Sequence, residues 1–443
     1  MGDWMTTGGP RAGRRPRALS PLREHLRDTF WFAPTAAMVL VGVAWTVAAD
    51  LDTEIVEALQ DAGDYDAVKE LLRFADDAKT VVTVVSSAMM TFIGVVFSIS
   101  LVAVQMASGQ FSPRVVRIFV RSRITKATFA VFLATFLLSL LVLTSYDGEP
   151  DPRLVTSVPL VQSIMTLFMV ALSLLLFVMY VNQTLRLMRV GHVVDRITSE
   201  SFRVVQHMPA ALALGAAEDL GPETAQVAHQ GRAGVLRDVN IARLVRAARQ
   251  QGVVLRLIPR IGDFVVPGTP VLAVHGGPAP SRRALRYTVS VGVERTFHQD
   301  LGFGLRQLSD IALRALSPAV NDPTTAVQAL DRIVQFLAAL ARRPLDTSLH
   351  RDRQGAVRLV QPVPGWTELV DLGFAEIRGC AAQSPQVTRR MMAGLDDLLP
   401  AVAEERREPL LRHRELLVQA VERTVTEAAD LAFALLPDRQ GIG

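Results

Sequence analysis

Residues 80–104 read TVVTVVSSAMMTFIGVVFSISLVAV, twenty-five positions without one Asp, Glu, Lys, Arg or His. About 20 apolar residues cross the roughly 30 Å of bilayer hydrocarbon as a helix, so this segment decides the fold class. Three more stretches, near 30–49, 127–145 and 158–181, are also of spanning length and likewise lack Asp, Glu, Lys, Arg and His. The chain reads as an α-helical membrane protein with four transmembrane helices, and half of its residues are hydrophobic, with a mean hydropathy of +0.28.

The flanks set an expected orientation, because short loops rich in Lys and Arg stay on the cytoplasmic side. Arg114, Arg117, Arg121, Arg123 and Lys126 lie between the second and third spans without an acid among them. The connection between the first two spans instead carries acids from Asp50 to Asp77, opposed only by Lys69, Arg73 and Lys79. Arg186 and Arg189 follow the fourth span. This pattern predicts cytoplasmic N and C termini, an acidic outer mouth and a basic inner one. The 114–126 loop is then suited to anionic lipid headgroups.

The order expected along the chain is a basic cytoplasmic tail over 1–29, the four-helix domain over 30–181, a helical stalk and linker over 182–230, a small β-rich module over 231–292 and a helical domain over 293–443. The whole C-terminal part forms a cytoplasmic α+β region. The Arg-rich tail precedes an apolar stretch too long for a signal-peptide core. Val190–Met208 reads as a continuation of the fourth helix. Asn240 suits the cap of a short helix through Gln251. The Gly262-Asp263-Phe264-Val265 and Pro267-Gly268-Thr269-Pro270 turns are similar to those of a biotinyl- or lipoyl-type barrel-sandwich. No lysine stands there to carry such a group, and no cofactor is expected.

Within 80–104, Thr80, Thr83, Ser87, Thr91, Gly94 and Ser98, continued by Gln105, recur at helical spacing and form one small, polar stripe. Two readings are open: close packing against neighbouring helices, which small residues permit, or the wall of a water-filled path. No intramembrane Asp, Glu or His offers a proton relay and no Arg ladder a voltage sensor, so any transport would be passive. Four helices enclose little space, and a pore would need a homo-oligomer.

Farther on, Ser317-Pro318 and Asp322-Pro323 each pair a capping side chain with a proline suited to a helix start. A helix should end near Leu316 and another begin at Pro323. An anion at such a start, helped by Arg306 and Arg314, competes with plain capping. Gly302-Phe303-Gly304 reads as a hinge or tight turn.

The run Gln110-Phe111-Ser112-Pro113-Arg114, together with Asp300, Phe303-Gly304 and Ser317-Pro318-Ala319-x-Asn321-Asp322-Pro323, resembles the bacterial membrane-protein family catalogued as domain of unknown function 2254. The resemblance implies a multi-pass protein of the bacterial plasma membrane and supplies no activity. The sequence has no HExxH, Walker loop, Gly-x-Ser-x-Gly or CxxC. It has a single cysteine, Cys380, and a net charge of only +4, which gives no reason to expect a metal site or a nucleic-acid partner. An oligomeric channel or passive transporter for ions or a small solute is the favoured expectation. A membrane-anchored sensor or scaffold is the alternative, and an enzyme would have to gather Arg306, Asp310, Asn321 and Asp322 into a pocket.

Overall fold

The computed structural model describes residues 31–110, 122–146, 153–187, 189–207 and 220–441. It divides into two compact units that meet in sequence between Arg189 and Val190.

In the first unit, all four apolar stretches are helices: α1 (Phe32–Asp61), α2 (Tyr65–Gln110), α3 (Arg123–Thr144) and α4 (Leu160–Leu187). Each is long and apolar enough to span a bilayer. The acidic segment expected as a loop is helical instead. α1 runs through it to Asp61, Gly63 turns the chain at φ +73°, and α2 starts at Tyr65. At about 1.5 Å per residue, the 46 residues of α2 extend roughly 69 Å, more than twice the hydrocarbon thickness. α3 is the most enclosed of the four. Its Ala134, Leu138 and Val142 meet Val41 of α1 and Val82 of α2, while Phe129 and Phe132 meet Met89, Val96 and Tyr180.

The second unit begins with α5 (Val190–His207). It was expected to continue the fourth helix as a stalk. Instead it is a separate helix that buries Val193, Val194, Ile197, Ser201 and Val205 against two later helices, α8 (Leu301–Ala315) and α9 (Pro323–Leu340). The strong amphipathicity of this segment is the reason: an apolar stripe on a helix outside lipid is buried on protein.

The β-rich part comprises β1 (Glu223–Ala228), β2 (Gly234–Val239), β3 (Val254–Leu257), β4 (Phe264–Val265), β5 (Pro270–His275) and β6 (Val289–Gly292), with α6 (Ile241–Gln251) and the single turn α7 (Arg282–Leu285) among them. As expected, Asn240 caps α6, accepting the N–H of Arg243. The strands form a three-stranded sheet, β4-β2-β6, and a five-stranded one, β1-β5-β3-β8-β7. Two strands of the larger sheet, β7 (Thr347–Arg351) and β8 (Val357–Pro362), come from the region expected to be wholly helical. β8 pairs in parallel with β3 and antiparallel with β7. A third strand, β1, falls in the expected linker. The helices α10 (Trp366–Ala381), α11 (Pro385–Leu398), α12 (Glu408–Thr424) and α13 (Ala428–Leu435) complete the unit.

Candidate functional site

The stripe on α2 faces away from the other described helices of its unit. Thr80, Thr83, Ser87, Thr91, Gly94, Ser98 and Gln105 are all exposed, and a Cβ added at Gly94 would meet no atom within 4 Å. The opposite face of α2, with Val82, Ser86, Met89, Val96 and Ala103, is the buried one. Packing against the other described helices of the unit is therefore not what the stripe serves. The hydroxyls of Thr83 and Ser87 turn back to the helix: Thr83 donates to the Lys79 carbonyl at 2.8 Å and Ser87 to that of Thr83 at 3.2 Å.

Close packing through small polar residues occurs instead between α3 and α4, where Thr128, Thr135, Ser139, Ser163, Thr166 and Ser173 are buried. The hydroxyls of Thr135 and Ser173 lie 3.0 Å apart, and Thr128, Ser139 and Thr166 donate to carbonyls of their own helices. Thr128, Thr135 and Ser139 stand at steps of seven and four, a periodicity that marks one helix face and was there to be read.

At one end of this bundle lies a carboxylate that the acid count treated as one of many. Asp52 is fully buried and accepts the N–H groups of Leu160, Val161 and Gln162 at 3.1, 2.7 and 3.4 Å, capping α4. Nearby, the Tyr146 and Ser163 hydroxyls are 2.9 Å apart, and Gln60 donates to the Val155 carbonyl at 2.9 Å. A cavity of about 30 Å³, lined in part by Asp76, Lys79, Tyr146 and Ser157, has room for a water molecule.

In the second unit, Asp300 caps α8 through the N–H of Phe303 at 3.0 Å and grips Arg295 with both oxygens, at 2.7 and 2.8 Å. The Arg295 guanidinium lies 5.5 Å from the centre of the Phe303 ring. Burial pushes the Asp300 carboxyl above the ordinary aspartate value, against the pull of Arg295. Gly302-Phe303-Gly304, expected as a hinge or tight turn, forms the first turn of this helix instead. Glycine is needed at 304 because α5 crosses there: a Cβ would stand 1.7 Å from the Ser201 hydroxyl oxygen.

The second motif also resolves into local architecture. α8 ends at Ala315 with Leu316 as its cap, as expected. Ser317-Pro318 opens no helix; the Ser317 hydroxyl donates to the Arg314 carbonyl at 2.7 Å, and the chain turns back with Asn321 at φ +47°. Asp322 caps α9, which starts at Pro323 as expected, and accepts from the amide and hydroxyl of Thr325 at 3.0 and 2.5 Å. Arg306 does not fold toward this helix start. It pairs with Asp310 at 2.7 Å and with Glu376 of α10, and its guanidinium holds the Glu376 carboxyl below the ordinary glutamate value. Arg306, Asp310 and Asp322 are thus already engaged by neighbouring groups. Of the first motif, Gln110 closes α2, while Phe111, Ser112, Pro113 and Arg114 lie outside the described residues.

A cluster the sequence reading missed joins α10 and α12. His413 Nε2 lies 2.8 Å from Asp371, its Nδ1 is 3.0 Å from Arg378, and Arg412 also reaches Asp371. Since Arg378 can only donate, Nδ1 accepts and Nε2–H donates, which fixes the neutral tautomer. Burial lowers the imidazole's affinity for protons further. Among the described residues, no three His, Cys, Asp or Glu side chains gather as a metal site.

Four helices long and apolar enough to cross a bilayer precede a mixed α and β unit. The chain belongs to the family described as "Predicted membrane protein (DUF2254)", whose model matches residues 27–397. It is 31% identical over 385 residues to uncharacterized proteins of Mycobacterium bovis and Mycobacterium tuberculosis, covering 81% of this chain and 71% of each relative. No solved structure matches it.

Proposed function

We propose that the protein is a non-catalytic homo-oligomer of the bacterial inner membrane, in which several copies bring their α2 stripes to a common axis and form a passive path for an ion or small solute. The observation that carries this reading is the outward direction of the stripe. A helix facing lipid alone gains nothing from seven aligned small and polar positions, whereas a neighbouring copy gains close approach and a shared polar surface. Both termini are cytoplasmic on this reading, following the basic flanks. The acidic α1–α2 turn then stands at the outer mouth and the basic stretch 114–126, whose Arg123 and Lys126 lie in the first turn of α3, at the inner one, near anionic headgroups. The second unit, with its β-rich part acting as a barrel-sandwich-like coupling element, serves assembly and regulation.

The second reading, a membrane-anchored sensor or scaffold, draws on a different observation. Thr83 and Ser87 satisfy their hydroxyls on their own backbone, so the stripe tolerates lipid without lining anything. Flux and single-channel recordings on the purified protein in liposomes separate the two, with wild type beside Ser87→Leu, Thr91→Leu and Ser98→Leu. Conductance lost in variants that still assemble supports the path. A tight membrane with wild type, across several ions and both polarities, favours the anchor.

A further inference from the structure

The second unit carries an arginine surface on α6 and α7. Arg243, Arg246 and Arg249 recur at every third residue and are exposed, while Leu244, Ala247 and Ala248 are buried on the opposite side of α6. α7 packs against α6 and brings Arg282 and Arg283, with Arg286 directly after it, all exposed. Among the described residues none of these six arginines is in an ion pair. The other elements against which α6 chiefly packs, β3, β7 and β8, contain no Asp or Glu. In the β7–β8 turn, Asp352 is already held by Arg358 at 2.8 Å.

This arrangement does not serve the helix itself. Arg249, in the last turn, suits the helix dipole, but Arg243 places a cation in the first turn, where the dipole disfavours it. Like charges three residues apart also repel. Six uncompensated cations on one surface are accounted for by an anionic partner. At its edge Tyr287, 64% exposed and held at φ +60°, lies under the Arg286 guanidinium at 4.7 Å. An exposed tyrosine beside arginines is the composition of a membrane–water interface.

We propose that the α6–α7 surface docks on the phosphate-bearing headgroups of the anionic cytoplasmic leaflet. The chain's own apolar helices hold it at a bilayer, so the partner is always at hand, and each Arg near an anionic surface adds to the attraction. The proposal rests on the reading that the second unit is cytoplasmic.

The test uses the full-length protein in nanodiscs of phosphatidylcholine alone or of phosphatidylcholine with phosphatidylglycerol, and follows amide hydrogen exchange in 241–251 and 282–287. Exchange in these segments should slow by roughly tenfold or more in the anionic discs and recover at high salt. Replacing all six arginines by Gln should abolish the effect at an unchanged melting temperature, while replacing all six by Lys should retain it. Equal exchange in both discs overturns the proposal, as does protection that survives in the Gln variant. Protection by added RNA but not by anionic lipid overturns it in favour of a nucleic-acid surface. The underlying reading has its own check, because Cys380 is exposed and is the chain's one cysteine. An impermeant maleimide should label it only in permeabilised cells; labelling in intact cells refutes the cytoplasmic placement whatever the nanodiscs show.

Discussion

The carboxylate of Asp52 accepts the amide of Val161, 109 positions later in the chain, at 2.7 Å. One side chain of α1 thereby caps α4 and fastens the two helices at the same end of the bundle. A helix start in or near lipid has little water to satisfy its free N–H groups. Asp52→Ala should therefore cost about 1–3 kcal/mol, the price of orphaning buried donors. Asp52→Asn, which keeps one acceptor oxygen, should cost less. Thermal unfolding in detergent measures both, and an unchanged midpoint for Asp52→Ala would show that the cap does not matter.

Gly304 and Ser201 define the closest crossing in the second unit. A methyl at 304 would overlap the Ser201 hydroxyl oxygen at 1.7 Å, so α5 must move or the rotamer of a buried serine must change. Gly304→Ala should destabilise by about 1–3 kcal/mol, as overpacking does. Ser201→Gly in the same chain should recover much of that loss. A double-mutant cycle reads the coupling directly, and additive effects would place the strain elsewhere.

What the sequence revealed and what it hid follow from the range of each signal. The four spans were legible because hydrophobic length is a local property, and Asn240 and Asp322 were legible because a cap acts three residues away. Asp52 was hidden because its partners lie more than a hundred positions distant. The β7–β8 hairpin was hidden because His350, Arg351, Arg358 and Gln361 interrupt its short apolar runs, and its place depends on pairing with β3. Gly302 and Gly304 suggested flexibility by their type, yet Gly304 serves contact with another helix. The stripe on α2 was legible as a stripe, but a period fixes only that residues share a face, not what that face meets.

His413 gives the second unit a pH dependence of known sign. Burial first, then the charges of Arg378 and Arg412, lower its pKa from the ordinary value of 6.5, against the attraction of Asp371; the Phe374 ring centre lies 6.1 Å from that of the imidazole. A base whose folded pKa is depressed binds fewer protons in the folded state. Its contribution to stability is complete above about pH 6.5 and falls as the pH drops below that value. His413→Gln should flatten this part of the stability profile. Melting temperatures measured from neutral pH into the acid range decide it, since identical slopes in wild type and variant would assign the dependence to other groups.

The outward stripe of α2 makes the oligomer testable without any assumption about a transported solute. In a Cys380→Ser background, Thr91→Cys places a thiol on the stripe, whereas Phe168→Cys places one on α4 at a side chain 66% exposed. A short bifunctional maleimide in native membranes should join copies through position 91, because helices that meet over small residues approach closely. Position 168 should stay monomeric if α4 faces lipid. Linking at 91 alone gives the interface assumed for a shared axis. Linking at 168 alone moves the contact to α4, and the stripe then faces lipid; linking at neither leaves a monomer, whose α3–α4 hydroxyls are already bonded to one another or to their own backbone. Either result ends the case for a path along α2.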